Sequence, residues 1–219
     1  MGSVMTSDSE IAVVPHEIQK DRAKCRQIMD GARVVFLEKG FDAASMGEIA
    51  RQAGVSKGTL YVYFESKEEL FEAIFEEESR AQAEQVFALN HGDRDVEAVL
   101  TRLGCDFVRF LCDPTRLSSH RTVLAIAERM PALGQRFYEA GPATGVARVR
   151  RYLEAQVEAG VLQIDDCELA AAQFLDACPS TMFKPMIFSS APPPTEQRIR
   201  HVVAAAVRTF LAAYTRRPE

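Results

Sequence analysis

Apolar residues recur along this chain at helical intervals, and helix caps and glycines punctuate them. From about Lys20 to Lys39, Ile28, Ala32, Val35 and Phe36 stand at i, i+4, i+7 and i+8, which predicts a first helix that Gly40 stops. Ser45 with Glu48 three residues on forms a capping box, and Ile49, Ala50 and Ala53 give a short second helix its buried side before Gly54. Ser56 caps a third helix from Lys57 to about Phe64. Ser66 with Glu69 caps a fourth, striped by Leu70, Phe71, Ile74 and Phe75. His91-Gly92-Asp93 marks a break. Beyond it the pattern predicts helices over about 95–112 and 116–130, another from Pro131 interrupted at Gly141-Pro142, and two more over about 166–184 and 195–215. Ala191-Pro192-Pro193-Pro194 reads as a rigid connection that Thr195 ends as an N-cap. Strand signals are absent. The expectation is an all-α fold: a polar N-terminal arm over 1–19, a three-helix domain over 20–66, a connecting helix over 67–90 and a larger helical domain over 91–219.

Composition bounds what such a chain does. With 219 residues, 47% of them hydrophobic, it has material for one large or two modest cores. No window approaches the roughly 20 uninterrupted apolar residues that cross a bilayer, and Met1 to Glu10 lack the order of a signal peptide, so the expected location is cytoplasmic, with no membrane partner. Cys25, Cys105, Cys112, Cys167 and Cys178 form an odd set without a CxxC pair and read as reduced thiols. The net charge of −5 argues against nucleic acid only until it is divided. Residues 20–64 hold eight cations against five anions, a net +3, which leaves −8 on the remainder. One end is suited to meet phosphate.

A helix, a glycine-containing turn and a second short helix let one helix lie in the DNA major groove while its partner braces it across the backbone. Here the brace is 46–53 and the reading helix 57–64. Lys57 brings a cation, Gly58 removes bulk, Thr59 carries a hydroxyl and a methyl for base edges, and Tyr61 and Tyr63 offer hydroxyls to phosphate. Leu60 and Phe64, four apart, supply the buried face. A packed three-helix core needs the same caps and glycine, so residue by residue a purely structural role stays open. Taken together, the run from Ile49 to Leu70 (Ile49-Ala50-Arg51-Gln52-Ala53-Gly54-Val55-Ser56-Lys57-Gly58-Thr59-Leu60-Tyr61-Val62-Tyr63-Phe64-Glu65-Ser66-Lys67-Glu68-Glu69-Leu70) resembles the signature of TetR-family transcriptional regulators, and the likeness extends over about residues 24–75. The resemblance implies an all-helical homodimer that binds a near-palindromic operator in double-stranded DNA and is released by a ligand in its C-terminal domain. It places Lys57, Gly58 and Thr59 nearest the bases, Tyr61, Tyr63 and Lys67 on phosphates, and Ser45 on the backbone at the start of the brace. Tyr63 departs from the family pattern, where histidine is common. Residues 160–166, before a later helix, are loosely similar to members that regulate efflux pumps.

On the last helix Ile199, Val203, Ala206, Phe210 and Ala213 follow spacings of 4, 3, 4 and 3, and the helix over about 166–184 is apolar nearly all round. Leu169, Ile199, Val203, Ala206 and Phe210 are therefore the expected dimer interface, the competing reading being a seam turned to the protein's own core. Phe107, Phe110, Leu111, Phe137, Phe174, Met182 and Phe183, with His120, are the expected lining of a pocket for a small hydrophobic effector, and Arg121 beside His120 offers a partner to an anion. Four histidines without metal-ligand spacing provide no catalytic constellation, so neither an enzyme nor a metal or other cofactor is expected. Three readings of function remain: a ligand-released repressor, an activator of the same fold, and a helical interaction module without DNA binding.

Overall fold

A computed structural model of the chain describes residues 16–188 and 191–215, with side chains from 21, except those of 78–83. The expected arm falls on 1–15, outside the described residues, and on 16–19, which are helical. Among the described residues eleven α-helices follow one another: α1 His16–Ala43, α2 Met46–Gln52, α3 Lys57–Tyr63, α4 Lys67–Val86, α5 Val96–Leu111, α6 Pro114–Ile126, α7 Pro131–Tyr138, α8 Thr144–Glu158, α9 Cys167–Ala177, α10 Phe183–Phe188 and α11 Glu196–Tyr214. Among the described residues the one β-type pairing is an isolated bridge, Leu162 with Thr215. The chain divides into two compact units, Met1–Leu70 and Phe71–Glu219, so the division falls within the second turn of α4. A connecting helix of its own over 67–90 is thus shared between the two.

The first unit closes over Ile28, Ala32, Val35 and Phe41 of α1, Ile49 and Ala50 of α2, and Leu60, Phe64 and Leu70. All but Phe41 come from the apolar positions of the sequence, while Phe36, expected on the α1 stripe, is half-buried; this burial drives the three helices together. Gly40 sits at φ 76 and ψ 168, a left-handed conformation that breaks α1 before Phe41. The short tail Phe41–Ala43 folds back, and Phe36 and Phe41 bring their ring centroids to 5.6 Å.

In the second unit α5, α8, α9 and α11 surround one core. Tyr152 and Gln156 of α8 are fully buried, and both are hydrogen-bonded to the loop before α5. The Tyr152 hydroxyl donates to the Asp93 carbonyl at 3.2 Å, and the Gln156 amide donates to the His91 carbonyl at 3.2 Å while accepting from Arg94 at 3.0 Å. The break at His91-Gly92-Asp93 is thereby fastened from inside.

Two expected elements differ. The interruption at Gly141-Pro142 is a π-helical turn, Glu139–Ala143, through which the helical path runs on from α7 to α8. Pro142 has no N–H to give, the extra residue of the wider turn accommodates it, and the Thr144 hydroxyl donates to the Glu139 carbonyl at 2.9 Å. The single helix expected over 166–184 stops at Ala177. Pro179 cannot continue the backbone ladder, and Thr181 takes a left-handed φ of 65 that a β-branched residue rarely adopts. Arg198 of α11 donates to the Thr181 hydroxyl at 2.6 Å and holds that turn.

Candidate nucleic-acid interface and ligand cavity

Local capping builds the helix-turn-helix. Ser45 accepts the Glu48 N–H at 3.3 Å, and the Glu48 carboxylate in return accepts the Ser45 N–H at 3.2 Å and its hydroxyl at 2.8 Å. Lys39 closes an ion pair on the same carboxylate, and its ammonium together with Ser45 brings the Glu48 carboxyl down to about 2. At the far end of α2, Gly54 takes φ 64, its N–H donates to the Arg51 carbonyl at 3.2 Å and the Val55 N–H to the Ala50 carbonyl at 3.0 Å. That reciprocal pattern ends a helix and reverses the chain tightly. Gln27 of α1 donates to the Ala53 carbonyl at 2.6 Å and pins the turn.

The reading helix α3 opens on Ser56, which accepts the Thr59 N–H at 3.0 Å and shares a hydrogen bond with the Thr59 hydroxyl at 2.8 Å. Leu60 is fully buried and Phe64, just beyond α3, closes the same side. Lys57, Gly58, Tyr61 and Val62 are exposed. A methyl group on Gly58 would meet nothing nearer than the Ser56 hydroxyl at 3.8 Å. Packing inside the protein therefore gives no reason for glycine, which costs roughly 0.5–1 kcal/mol relative to alanine in a helix. Val62, which sequence reasoning passed over, is 81% exposed on this face and offers an apolar contact suited to a thymine methyl. Its place three residues after Thr59 was the available signal.

Two residues expected on phosphates have partners within the first unit. Lys67 directs its ammonium onto the backbone carbonyls of Phe41, Asp42 and Ala44 at 2.8, 3.1 and 3.2 Å, and lies 4.7 Å from the centroid of the Phe41 ring. These carbonyls are left without helical partners where Gly40 breaks α1, so all three donors of Lys67 serve the end of that helix. The Tyr63 hydroxyl gives its proton to Asp21 at 2.8 Å, and that carboxylate pushes the phenol above its usual range. It too belongs to the domain's own framework.

The second unit holds a cavity of about 410 Å³. Phe75, Phe87, Phe107, Phe110, Phe137 and Phe183 line it, with Leu111, Tyr138, Val146 and Leu175, and Arg116, Asp176 and the His120 imidazole join them. Phe137 stacks on Phe75 with ring centroids 3.9 Å apart, and His120 meets Phe137 edge-on at 5.0 Å. The His120 imidazole places Nδ1 2.8 Å from the Arg116 carbonyl, and burial pushes its pKa down. Of the expected lining, Phe107, Phe110, Leu111, His120, Phe137 and Phe183 meet here. Phe174 and Met182 do not: Phe174 sets its ring against Phe210 at 5.5 Å and Met182 is buried in the core. Arg121, expected to face an anion, donates instead to the Met186 and Ile187 carbonyls at the end of α10. Phe75 was legible only as part of the α4 stripe, and Arg116 and Asp176 carried no periodic signal.

Residues 28–74 match the bacterial regulatory proteins of the tetR family, and residues 98–216 match the C-terminal domain of AefR-like transcriptional repressors. The chain belongs to the TetR family of transcriptional regulators. A crystal structure of a TetR-family regulator from Mesorhizobium loti MAFF303099 is 30% identical, covers 90% of this chain and 99% of its own, and superposes with a TM-score of 0.83. The flavonoid-responsive regulator FrrA is likewise 30% identical over 90% of this chain and all of its own, with a TM-score of 0.77. Among curated relatives, the HTH-type transcriptional regulator YvdT of Bacillus subtilis (strain 168) is 40% identical over 77 residues, which are 35% of this chain and 40% of that protein. The match spans well under two thirds of YvdT.

TetR-family regulators bind DNA and act as dimers with small-molecule effectors, and the expected dimer seam of this member needs correcting. Ile199, Val203, Ala206 and Phe210 are buried inside the single chain, facing α5 and α9. The 4-3-4-3 stripe is the inner side of α11. Leu169, by contrast, is 53% exposed, and Gln173 of α9 and Arg208 and Ala212 of α11 are exposed with it. The five cysteines are free thiols, and burial pushes Cys112 up to about 11 and Cys178 to about 12, which keeps both protonated and unreactive. No helix of the described residues is long and apolar enough to cross a membrane.

Proposed function

We propose that this chain is a repressor which, as a dimer, sets its two α3 helices into successive major grooves of a near-palindromic operator and leaves it when a small hydrophobic ligand fills the cavity. The observation that carries the DNA half is the outward face of α3, where Lys57, Gly58, Tyr61 and Val62 are exposed and the glycine has no packing role. Dimers follow from the operator's symmetry, and the exposed faces of α9 and α11 are the surface for them: Leu169 supplies apolar area, and Ala212 allows close helix approach. The effector half rests on the aromatic cavity, and on likeness to a regulator that responds to flavonoids. Coupling runs through α4, whose first residue, Lys67, holds the end of α1 and whose Phe75 forms part of the cavity wall. Arg136 of α7 grips the Glu72 carboxylate of the same helix with two bonds at 2.7 Å. A ligand in the cavity meets the stacked pair of Phe75 of α4 and Phe137 of α7.

Recovery of fragments bound by the full chain from its source genome tests the proposal. The expected result is an inverted repeat upstream of genes whose transcription rises when the protein is absent; transcription that falls instead makes it an activator, and no enrichment removes DNA binding altogether. Leu169→Glu is expected to move sedimentation from dimer to monomer with the fold intact, and a persistent dimer places the interface elsewhere.

A further inference from the structure

We infer that the effector is an uncharged aromatic molecule bearing a phenolic hydroxyl, which donates its proton to Nε2 of His120. The inference rests on the reading of the cavity as the effector site. A volume of about 410 Å³ lies within the range of small-molecule sites and admits a ligand of two or three rings. Phe75, Phe107, Phe110, Phe137 and Phe183 supply flat faces and edges that favour a flat partner.

The polar groups decide what that partner carries. A carbonyl oxygen only accepts, so the Nδ1 of His120, 2.8 Å from the Arg116 carbonyl, is the protonated nitrogen. The neutral ring then offers Nε2 as an acceptor, and no donor from the described residues meets it. Burial favours this neutral form. Asp176, at the exposed edge, is a second acceptor. The cavity's guanidinium, Arg116, is 4% exposed and stands over the Phe110 ring with Cζ 4.0 Å from its centroid. Besides the guanidinium of Arg116, which is engaged within the protein, the site presents a neutral acceptor among aromatic rings and a negative charge at its rim. A hydroxyl satisfies the first, and a carboxylate on the ligand meets repulsion from the second.

Calorimetric titration of the full chain with biphenyl, 4-methoxybiphenyl, 4-phenylphenol and biphenyl-4-carboxylate tests this. The phenol is expected to bind about 5- to 10-fold more tightly than the methyl ether, the scale of one buried neutral hydrogen bond. In His120→Phe, which keeps a flat ring and removes the acceptor, that ratio is expected to fall to about one. Equal affinity of the phenol and ether in the unaltered protein, or tightest binding by the carboxylate, overturns the inference and leaves the aromatic cavity standing. Binding by none of the four overturns the effector site itself, and the inference with it. Nitrogen NMR of the free protein gives a check without any variant: His120 is expected as the tautomer protonated on Nδ1, and protonation on Nε2 instead rules out its acceptor role.

Discussion

Helices α3 and α11 use their side chains in opposite ways. In α3, seven residues long, Leu60 alone is buried, and the helix keeps its place through the Ser56 cap, the Gly54 turn and the neighbouring Phe64. In α11, nineteen residues long, Ile199, Val203, Ala206, Val207 and Phe210 all point into the core of the second unit. A regular apolar stripe on a long helix is first used to hold its own domain together, because burying it there needs no partner. A short helix that leaves most of its surface uncovered is held by its neighbours, and its free face is available for recognition. Regular spacing therefore marks α11 as scaffold, and the lack of a stripe leaves α3 a free face for the DNA contact proposed above.

That contrast can be broken in three places. The largest effect is expected from Phe210→Ala, which deletes a ring packed between Phe174 and Tyr214 and should lower unfolding stability by about 3–5 kcal/mol in urea titrations. A change of dimerisation without loss of stability would instead make α11 an interface after all. Next comes Lys57→Ala, expected to weaken operator binding by ~1–3 kcal/mol if it meets a base and less if it meets phosphate, with the melting temperature unchanged. Unaltered affinity at fixed salt contradicts the role given to α3. The smallest effect is acid-linked. The Glu48 carboxyl, held down to about 2 by Lys39 and Ser45, binds its proton less readily in the folded domain than in the unfolded chain, where it titrates near 4.5. Its contribution is present in full above about 4.5 and is lost as pH falls towards about 2. Glu48→Gln is expected to flatten thermal stability across that interval, and an unchanged slope dismisses the pair.

The first unit was legible because its signals are local. Ser45 with Glu48, Gly54 and Ser56 determine helix ends within a few residues, and Ile28, Ile49 and Leu60 fall inside as their spacing requires. The anchoring of Lys67 was hidden because its partners lie some two dozen residues upstream, on carbonyls freed by the break at Gly40. In the second unit periodicity found most of the helices, and the bulky apolar residues on them gave part of the cavity wall, Phe107, Phe110, Leu111, Phe137 and Phe183. Periodicity did not say which side of α11 faces inward, since a seam for a partner and a seam for a core have the same spacing. Nor did it detect the stop at Pro179 inside an apolar run, where the ring's clash with the preceding turn outweighs helix propensity. Arg116 shows the same limit from the other side. Nothing in its neighbours along the chain foretells that a charged residue is buried on the face of Phe110.

The anchoring of Lys67 has a consequence for the protein's covalent chemistry. An ammonium whose three N–H bonds are all received by carbonyls is held in place, and a reagent reaches its nitrogen only when the end of α1 opens. Acylating reagents and acetyl donors, which need the free amine, will therefore modify exposed Lys57 readily and reach Lys67 only during such openings. The ratio of the two modification rates is a clock for the breathing of the α1–α4 junction, readable by mass spectrometry in the unaltered protein.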